Sequence, residues 1–159
     1  MKKIELTKGK YALVDDKDFD FLNQWKWHWH DDRGGGYAER ACRESGKSKH
    51  IKMHRLLLKI PSGFETDHID GNGLNNQKLN LRIVTASQNQ INRGKQKNNT
   101  SGFKGVYLRR DRKKRWRAQI KFHRIIKHIG YFSSKEEAAL AYNKAAVEYF
   151  GEFAKLNVI

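Results

Sequence analysis

The residues of this chain best suited to chemistry lie between Asp67 and Asn89. A carboxylate and an imidazole stand side by side at Asp67-His68, and two amides follow at Asn80 and Asn89. A neutral imidazole can take a proton from water, and carboxylate and amide oxygens are ligands that hard divalent cations prefer. Hydrolysis of a phosphodiester needs both an activated water and relief of negative charge. Taken singly, each residue also has an ordinary structural explanation in a turn or on a surface.

The residues around this cluster predict the elements that must hold it. A polar loop at residues 70–76, rich in Asn and Gly, follows His68 and suits left-handed backbone conformations. Thr85 or Ser87 can cap a short helix that carries Asn89. The apolar anchors expected between the loop and that helix are Leu79, Leu81, Ile83 and Val84.

The first half of the chain has the pattern of a small meandering sheet. Short alternating runs are separated by turn residues, and a short helix with acidic residues in its first turn follows the first hairpin. Three Trp residues alternate with polar ones, as in a half-buried strand. The expected strands lie at residues 4–6, 11–14, 25–29, 37–42 and 50–58, with a glycine turn at 34–36.

The last third of the chain has clearer periodicities. Every second residue from 116 to 122 is apolar, which predicts a strand with one buried face and one polar, basic face. Ser134 begins a capping box, Ala and Tyr recur at helical spacing after it, and Gly151 suits the helix end. We therefore expect three strands followed by one helix that packs on their apolar face. The other face is a plausible DNA-reading surface.

Composition limits the partners that this chain can have. Its 159 residues suffice for two small domains, and 33 Lys and Arg against 17 Asp and Glu give a net charge of +16. Such a surplus favours a nucleic acid, and residues 98–159 alone hold 14 basic and 5 acidic side chains. No long apolar run favours a membrane. The single Cys42 excludes an intramolecular disulfide, and we expect an intracellular protein without a secretion signal.

Residues 67–92, DHIDGNGLNNQKLNLRIVTASQNQIN, resemble the signature of the HNH homing endonucleases. The resemblance implies a ββα-metal active site and assigns the four residues position by position. His68 matches the general base, and Asn80 matches the residue that orients it. Asp67 and Asn89 match the metal ligands. Since these ligands are oxygens, Mg²⁺ or Mn²⁺ is expected and zinc is not.

Several features differ from the family pattern or carry weaker expectations. Asn89 stands where many HNH enzymes have a third His, and no cysteine pairs brace the site, so apolar packing must hold it. Residues 53–57 resemble the strand that leads into the site in these enzymes. His54 is expected to be structural, and Arg82 is either a phosphate contact or a structural arginine. The remaining histidines form no recognisable metal spacing: His28, His30, His50, His123 and His128.

Residues 101–157 resemble a second family, the APETALA2-type DNA-binding domains, which also occur fused to homing endonucleases. The matching segments include Gly130-Tyr131-Phe132 and Lys155-Leu156-Asn157. In that family a three-stranded sheet enters the major groove. The resemblance and the strand alternation together place these residues toward DNA: Tyr107, Arg109, Arg117, Gln119, Lys121 and His128. Tyr, Lys and His replace residues usual in the plant proteins at positions 107, 121 and 128, so the plant target sequence does not carry over.

The sequence thus predicts an α+β protein. A strand-rich nuclease domain is expected at residues 1–92, with the ββα-metal motif at about 53–92, a basic linker at 93–100 and the DNA-binding domain at 101–159. The predicted activity is metal-dependent, site-specific cleavage of double-stranded DNA by a monomer without a small-molecule cofactor. A non-catalytic DNA-binding regulator is the alternative, and an RNA-binding accessory protein ranks below it.

Overall fold

The computed structural model describes residues 1–32, 35–96, 98–109 and 116–159. These residues form two units, Met1–Asn89 and Gln90–Ile159, each built of small antiparallel sheets and short helices, so the protein is α+β. The division falls inside a helix, shortly before the stretch expected to be a linker. Lys97 of that stretch, Gly34 of the glycine turn and the basic run 110–115 lie outside the described residues. Within them, no helix is long and apolar enough to cross a bilayer.

The first unit begins with a hairpin and a short helix. Strand β1 (Lys2–Glu5) pairs antiparallel with β2 (Tyr11–Val14) across a 3-10 turn at Thr7–Gly9, and α1 (Asp16–Asn23) follows. A three-stranded sheet comes next, in the order β3 (His28–Asp32), β4 (Gly35–Glu44), β5 (Lys47–Lys52). Residues of β1, β2, α1 and β4, and of the segments next to these elements, meet in one core, which comprises Ile4, Leu6, Ala12, Val14, Leu22, Trp27, Ala38 and Met53.

The rest of the first unit contains the cluster of polar residues singled out from the sequence. Helix α2 (Met53–Leu58) leads to β6 (Glu65–His68), and β6 pairs antiparallel with β7 (Leu81–Val84) after a long polar loop that ends in a 3-10 turn at Lys78–Asn80. Helix α3 (Ala86–Asn92) follows β7 directly. Thr85 and Gln88 cap α3 reciprocally, because each side chain accepts a hydrogen bond from the backbone N–H of the other.

Three local expectations in this unit were wrong. Residues 53–58 are helical rather than part of a strand, because Met53, Leu56 and Leu57 recur at helical spacing against the core and are good helix formers. The third strand begins only at His28, because the Trp27 indole donates to the carbonyl of Leu22 (2.8 Å) and fills the turn after α1. Leu79, expected to be an apolar anchor, is 94% exposed.

The second unit is a three-stranded antiparallel sheet covered by one helix. The strand order is β10 (Ile125–Phe132), β9 (Trp116–Phe122), β8 (Val106–Leu108), and α4 (Lys135–Phe150) packs on one face. Ser134 caps α4 by accepting from the backbone N–H of Glu137 (3.1 Å), and Gly151 ends it before a final 3-10 turn at Gly151–Phe153. The buried residues between sheet and helix are Val106, Ala118, Ile120, Ala138, Ala139, Tyr142, Ala145 and Ala146.

Asn157 closes the second unit at its carboxyl end. Its side chain accepts from the backbone N–H of Lys104 (2.7 Å) and donates to the Lys104 carbonyl (3.1 Å). Its backbone N–H and carbonyl are paired with the Asn143 side chain of α4 (2.7 and 2.9 Å). One asparagine thus connects the tail, the helix and the segment before β8, which gives the Lys-Leu-Asn sequence a structural role.

Gly105 provides a test of the close packing between this sheet and α4. Its φ is +74°, and a Cβ there would lie 2.1 Å from the Tyr142 ring and 2.7 Å from the carbonyl oxygen of Gln119. Gly105→Ala should therefore lower the free energy of opening of β9, measured by amide hydrogen exchange, by about 3 kcal/mol. Gly102→Ala is the matched control, since Gly102 has φ +85° but open space around it, and should cost about 1 kcal/mol. Equal losses would contradict this account of Gly105.

Candidate active site

His68 is the last residue of β6, where the strand gives way to the polar loop. Its partner across the hairpin is Leu81, while Asp67 lies opposite Arg82. Asp67 and His68 are both buried, at 4% and 5% exposure. The hairpin therefore presents a carboxylate and an imidazole at the end of a short strand, inside the protein rather than on its surface.

The imidazole of His68 lies among other rings. The His54 ring of α2 meets it edge to face with 5.0 Å between centroids, and the Tyr37 ring of β4 lies 5.9 Å away. Burial lowers the pKa of His68, although a hydrogen bond with Asn76 and the charges of Asp70 and Asp67 act in the opposite direction. The net effect is a neutral imidazole near pH 7, which is the form that can accept a proton.

The two expected metal ligands have protein partners in the same hairpin and helix. The Arg82 guanidinium donates to Asp67 Oδ2 through Nε (2.8 Å) and also contacts it through a terminal nitrogen (2.7 Å). The amide nitrogen of Asn89 on α3 donates to Glu65 Oε2 (2.6 Å). Glu65 and Asp67 are two apart on β6 and so project to one face of the strand. The structure thus groups two carboxylates, an amide and one guanidinium.

This group fits a hard divalent cation by the chemistry of its donors. Asp67 offers a buried carboxylate. The amide nitrogen of Asn89 donates to Glu65, so the amide oxygen of Asn89 points in another direction. Oxygen donors of this kind suit Mg²⁺ or Mn²⁺. Two carboxylates beside one guanidinium also leave net negative charge, which favours a cation.

Asn80 organises the polar loop that follows His68. Its side chain accepts from the backbone N–H of Asp70 (3.0 Å) and donates to Asp70 Oδ1 (3.0 Å) and to the Asn75 carbonyl (2.9 Å). The resemblance had given Asn80 the role of the residue whose amide orients the imidazole. In the structure the amide that raises the pKa of His68 is that of Asn76, which is 1% exposed. Asn80 therefore acts on His68 through the loop that follows it.

The loop is also tied to the amino-terminal hairpin and helix. Backbone hydrogen bonds join Leu13 of β2 to Leu74 and Asn76 (both 2.8 Å). The Asp15 carboxylate accepts from the backbone N–H of Lys78 (2.9 Å), and this hydrogen bond lowers the pKa of Asp15. The Asp15 side chain makes no capping bond to α1, although Asp15 is the residue before this helix, and it holds the loop instead.

The residues expected to face DNA lie together in the second unit, on the sheet face opposite α4. Tyr107 of β8 pairs with Arg117 of β9, and the guanidinium carbon lies 5.6 Å from the centre of the tyrosine ring. Gln119 pairs with His128 of β10. Lys121 extends the same face of β9 and is exposed.

Arg109 reaches the same face from the end of β8. Its guanidinium carbon lies 4.5 Å from the centre of the Tyr131 ring, and the His128 ring lies 4.3 Å from the same ring. Tyr131 and Ile126, which are 42% and 61% exposed, complete this surface but were not among the residues expected to face DNA. Their alternation with the apolar residues of β10 is the signal that could have identified them.

Around His68, the sequence reasoning also missed residues that the fold brings in from a distance. Tyr37 comes from β4, and Asn76 comes from within a run of similar polar residues. A third missed residue, Glu65, lies on β6 itself. Glu65 had a usable signal, because it lies two residues before Asp67, and residues two apart on a strand share one face. The others had none in the local sequence.

Comparison with known proteins gives consistent matches. A family profile described as HNH endonuclease matches residues 59–91. The chain is 35% identical over 158 residues to an HNH endonuclease of Acanthamoeba polyphaga mimivirus, covering 96% of this chain and 77% of that one. It is 32% identical over 101 residues to DNA endonuclease I-HmuI of Bacillus phage SP01, with 58% of each chain covered. A Bacillus subtilis prophage protein named as an HNH homing endonuclease matches 24% of this chain at 48% identity, over 25% of its own length. No solved structure gives a significant match.

His54 makes the stability of this unit depend on pH. Burial, reinforced by the charge of His68, lowers the pKa of His54 from 6.5 to about 3, so the folded chain keeps it neutral. The unfolded chain takes up a proton as the pH falls below 6.5, which favours unfolding. Between pH 7 and pH 5.5 this single group should cost about 1.2 kcal/mol.

Urea unfolding measures this effect, followed by tryptophan fluorescence, since three of the four Trp residues lie in the first unit. His54→Phe keeps an aromatic ring against His68 and should lose less stability than wild type on acidification. His30→Gln removes an exposed histidine of β3 and should behave as wild type. The assignment fails if all three proteins lose the same stability between pH 7 and pH 5.5.

Proposed function

Because this chain belongs to the HNH endonuclease family, we propose that it cleaves DNA with His68 as the general base. The observation that carries this proposal is the buried His68 imidazole, held neutral at the end of β6 beside the carboxylate of Asp67. A neutral imidazole can take a proton from the water that attacks the scissile phosphate. Tyr37 and His54 pack against the ring and limit its rotation.

Asp67 and Asn89 are proposed to hold one divalent cation, Mg²⁺ or Mn²⁺. When bound, such a cation offsets the negative charge that develops on the phosphate and on the leaving oxygen. Glu65 orients Asn89 through the amide nitrogen, and Asn80 and Asn76 keep the loop and the imidazole in place. Arg82 neutralises Asp67 and keeps this carboxylate fixed at the end of the hairpin.

The second unit is proposed to select the DNA site. A sheet face that carries Arg109, Arg117 and Lys121 among exposed aromatic rings suits phosphate contacts and base-edge contacts in a major groove. The likeness to APETALA2-type domains supports this assignment of the sheet. A nuclease unit joined to a site-selecting unit is the arrangement expected of a homing endonuclease acting as a monomer, and one metal centre per chain predicts a nick.

One observation favours a second candidate, a DNA-binding regulator without catalysis. Arg82 already occupies Asp67 with two contacts, at 2.7 and 2.8 Å, and so competes with a cation for this carboxylate. If the pair persisted in the presence of Mg²⁺, the first unit would be inert and only the second would act. The two candidates differ in whether DNA is cut, and one assay separates them.

Cleavage is tested on a supercoiled plasmid that carries the DNA flanking this protein's own gene. With Mg²⁺ the wild type should convert it to the nicked form, and EDTA should abolish the reaction. His68→Ala should lower the single-turnover rate at least about 100-fold, because it removes the proton acceptor. Asn89→Ala should lower the rate and raise the Mg²⁺ concentration needed, because it removes one oxygen ligand.

His30→Ala is the matched control for His68→Ala, since it removes an exposed histidine of the same unit and should leave the rate unchanged. DNA binding by gel shift should be equal in all these proteins. Binding without nicking by the wild type would favour the regulator. Equal nicking by wild type and His68→Ala would remove His68 from the proposal.

DNA recognition by the second unit is tested with a pair of lysines. Lys121 lies on the proposed reading face, whereas Lys144 is exposed on α4, on the other side of the sheet. Lys121→Ala should weaken binding to the plasmid-derived duplex, and the slope of log K against log salt should fall by about 1. Lys144→Ala should change neither quantity. Equal effects of the two substitutions would contradict the assignment of the reading face.

A further inference from the structure

Three side chains from the three strands of the first sheet converge at one point. His28 of β3 lies directly opposite Glu39 of β4, and His50 of β5 lies one diagonal step away, opposite Ala41. His50 Nδ1 is 2.6 Å from Glu39 Oε1, and His28 Nε2 is 3.7 Å from the same oxygen. One ligand atom from each residue lies within 4.8 Å of the others. This cluster could not be identified from the sequence, because its three members are far apart along the chain.

Glu39 is buried and the two histidines are more exposed, an arrangement that suits a binding site open to solvent on one side. Glu39 is only 6% exposed, so its carboxylate carries a large desolvation cost that a nearby positive charge offsets. The side chains of His28 and His50 are 36% and 56% exposed. The carboxylate therefore lies at the bottom and the two imidazoles at the rim, where an ion can enter from solvent.

We propose that His28, Glu39 and His50 bind one divalent cation of the zinc type and so link the three strands of this sheet. Two imidazole nitrogens and one carboxylate oxygen are a donor set that Zn²⁺, Co²⁺ and Ni²⁺ accept readily, whereas Mg²⁺ prefers oxygen alone. The site is separate from the one proposed around Asp67. The proposal also departs from the expectation that zinc is not bound, which rested on the oxygen ligands around Asp67, and from the expectation that His28 and His50 form no metal spacing.

The position of the cluster gives the cation a structural role. Tyr37 is two residues before Glu39 on β4 and so lies on the same face of the sheet. The Tyr37 ring packs against both His54 and His68. A cation that links β3, β4 and β5 therefore stiffens the strand that supports the proposed general base. Small domains often obtain from a metal the stability that a small core cannot supply.

Zinc binding is measured on the full chain after metal removal, by calorimetric titration with Zn²⁺ and by the visible absorption of Co²⁺. We expect one tight equivalent per chain, with tetrahedral-type Co²⁺ bands and a higher melting temperature. His28→Ala and His50→Ala should each weaken the affinity at least about 10-fold and remove the thermal shift. These two rim residues are used first, because Glu39→Gln changes a buried carboxylate and can impair folding.

Two controls locate the ion. His30→Ala removes a histidine on the same face of β3 that lies outside the cluster, opposite Tyr37, and should bind Zn²⁺ as the wild type does. His68→Ala removes the proposed general base and should also keep the tight equivalent. Loss of zinc in His68→Ala, or unchanged affinity in both His28→Ala and His50→Ala, would overturn the proposal. So would the absence of any binding by the wild type, whatever the outcome of the cleavage assay.

Discussion

The structure around the candidate site depends on keeping one imidazole neutral and fixed inside a very small domain. His68 is 5% exposed, and its burial lowers its pKa even though Asp67 and Asp70 are close by. A buried imidazole with no apolar shell would rotate or take up a proton. Here the rings of Tyr37 and His54 supply that shell from two other elements. The sheet and α2 are thus needed for the chemistry, although neither contributes a residue to the family signature.

The long loop between β6 and β7 is held by hydrogen bonds because it has no core of its own. Asp70 is the centre of this network. Burial alone would raise the pKa of Asp70, but hydrogen bonds from Asn72, Asn75 and Asn80 outweigh burial and lower it. The loop is then attached to β2 and to Asp15 by further backbone and carboxylate bonds. Asn and Asp suit this task because their short side chains bond backbone groups a few residues away.

These contacts explain which parts of the structure could be predicted from the sequence. The hairpin, the capped helix α3 and the last three strands with their helix follow local rules of alternation, capping and turn chemistry. The helix at residues 53–58 was mistaken for a strand, because a short apolar run fits both patterns and only contact with the core decides between them. The four polar residues of the signature were found, but not their partners. Which asparagine of the loop influences His68 depends on how the loop folds back, which neighbouring residues do not reveal.

The charge pattern near Asp67 connects the fold to its proposed chemistry. A buried carboxylate without a partner is costly, so Asp67 needs a counter-charge in the absence of a cation. Arg82 supplies this counter-charge. In the proposed mechanism Asp67 would hold a cation that shares or replaces this guanidinium, because DNA phosphates would add negative charge at the same place. The released arginine would lie next to a phosphate backbone, where its planar group binds well. Under this proposal, the ion pair that competes with catalysis in the free protein would favour DNA binding once the site is complete.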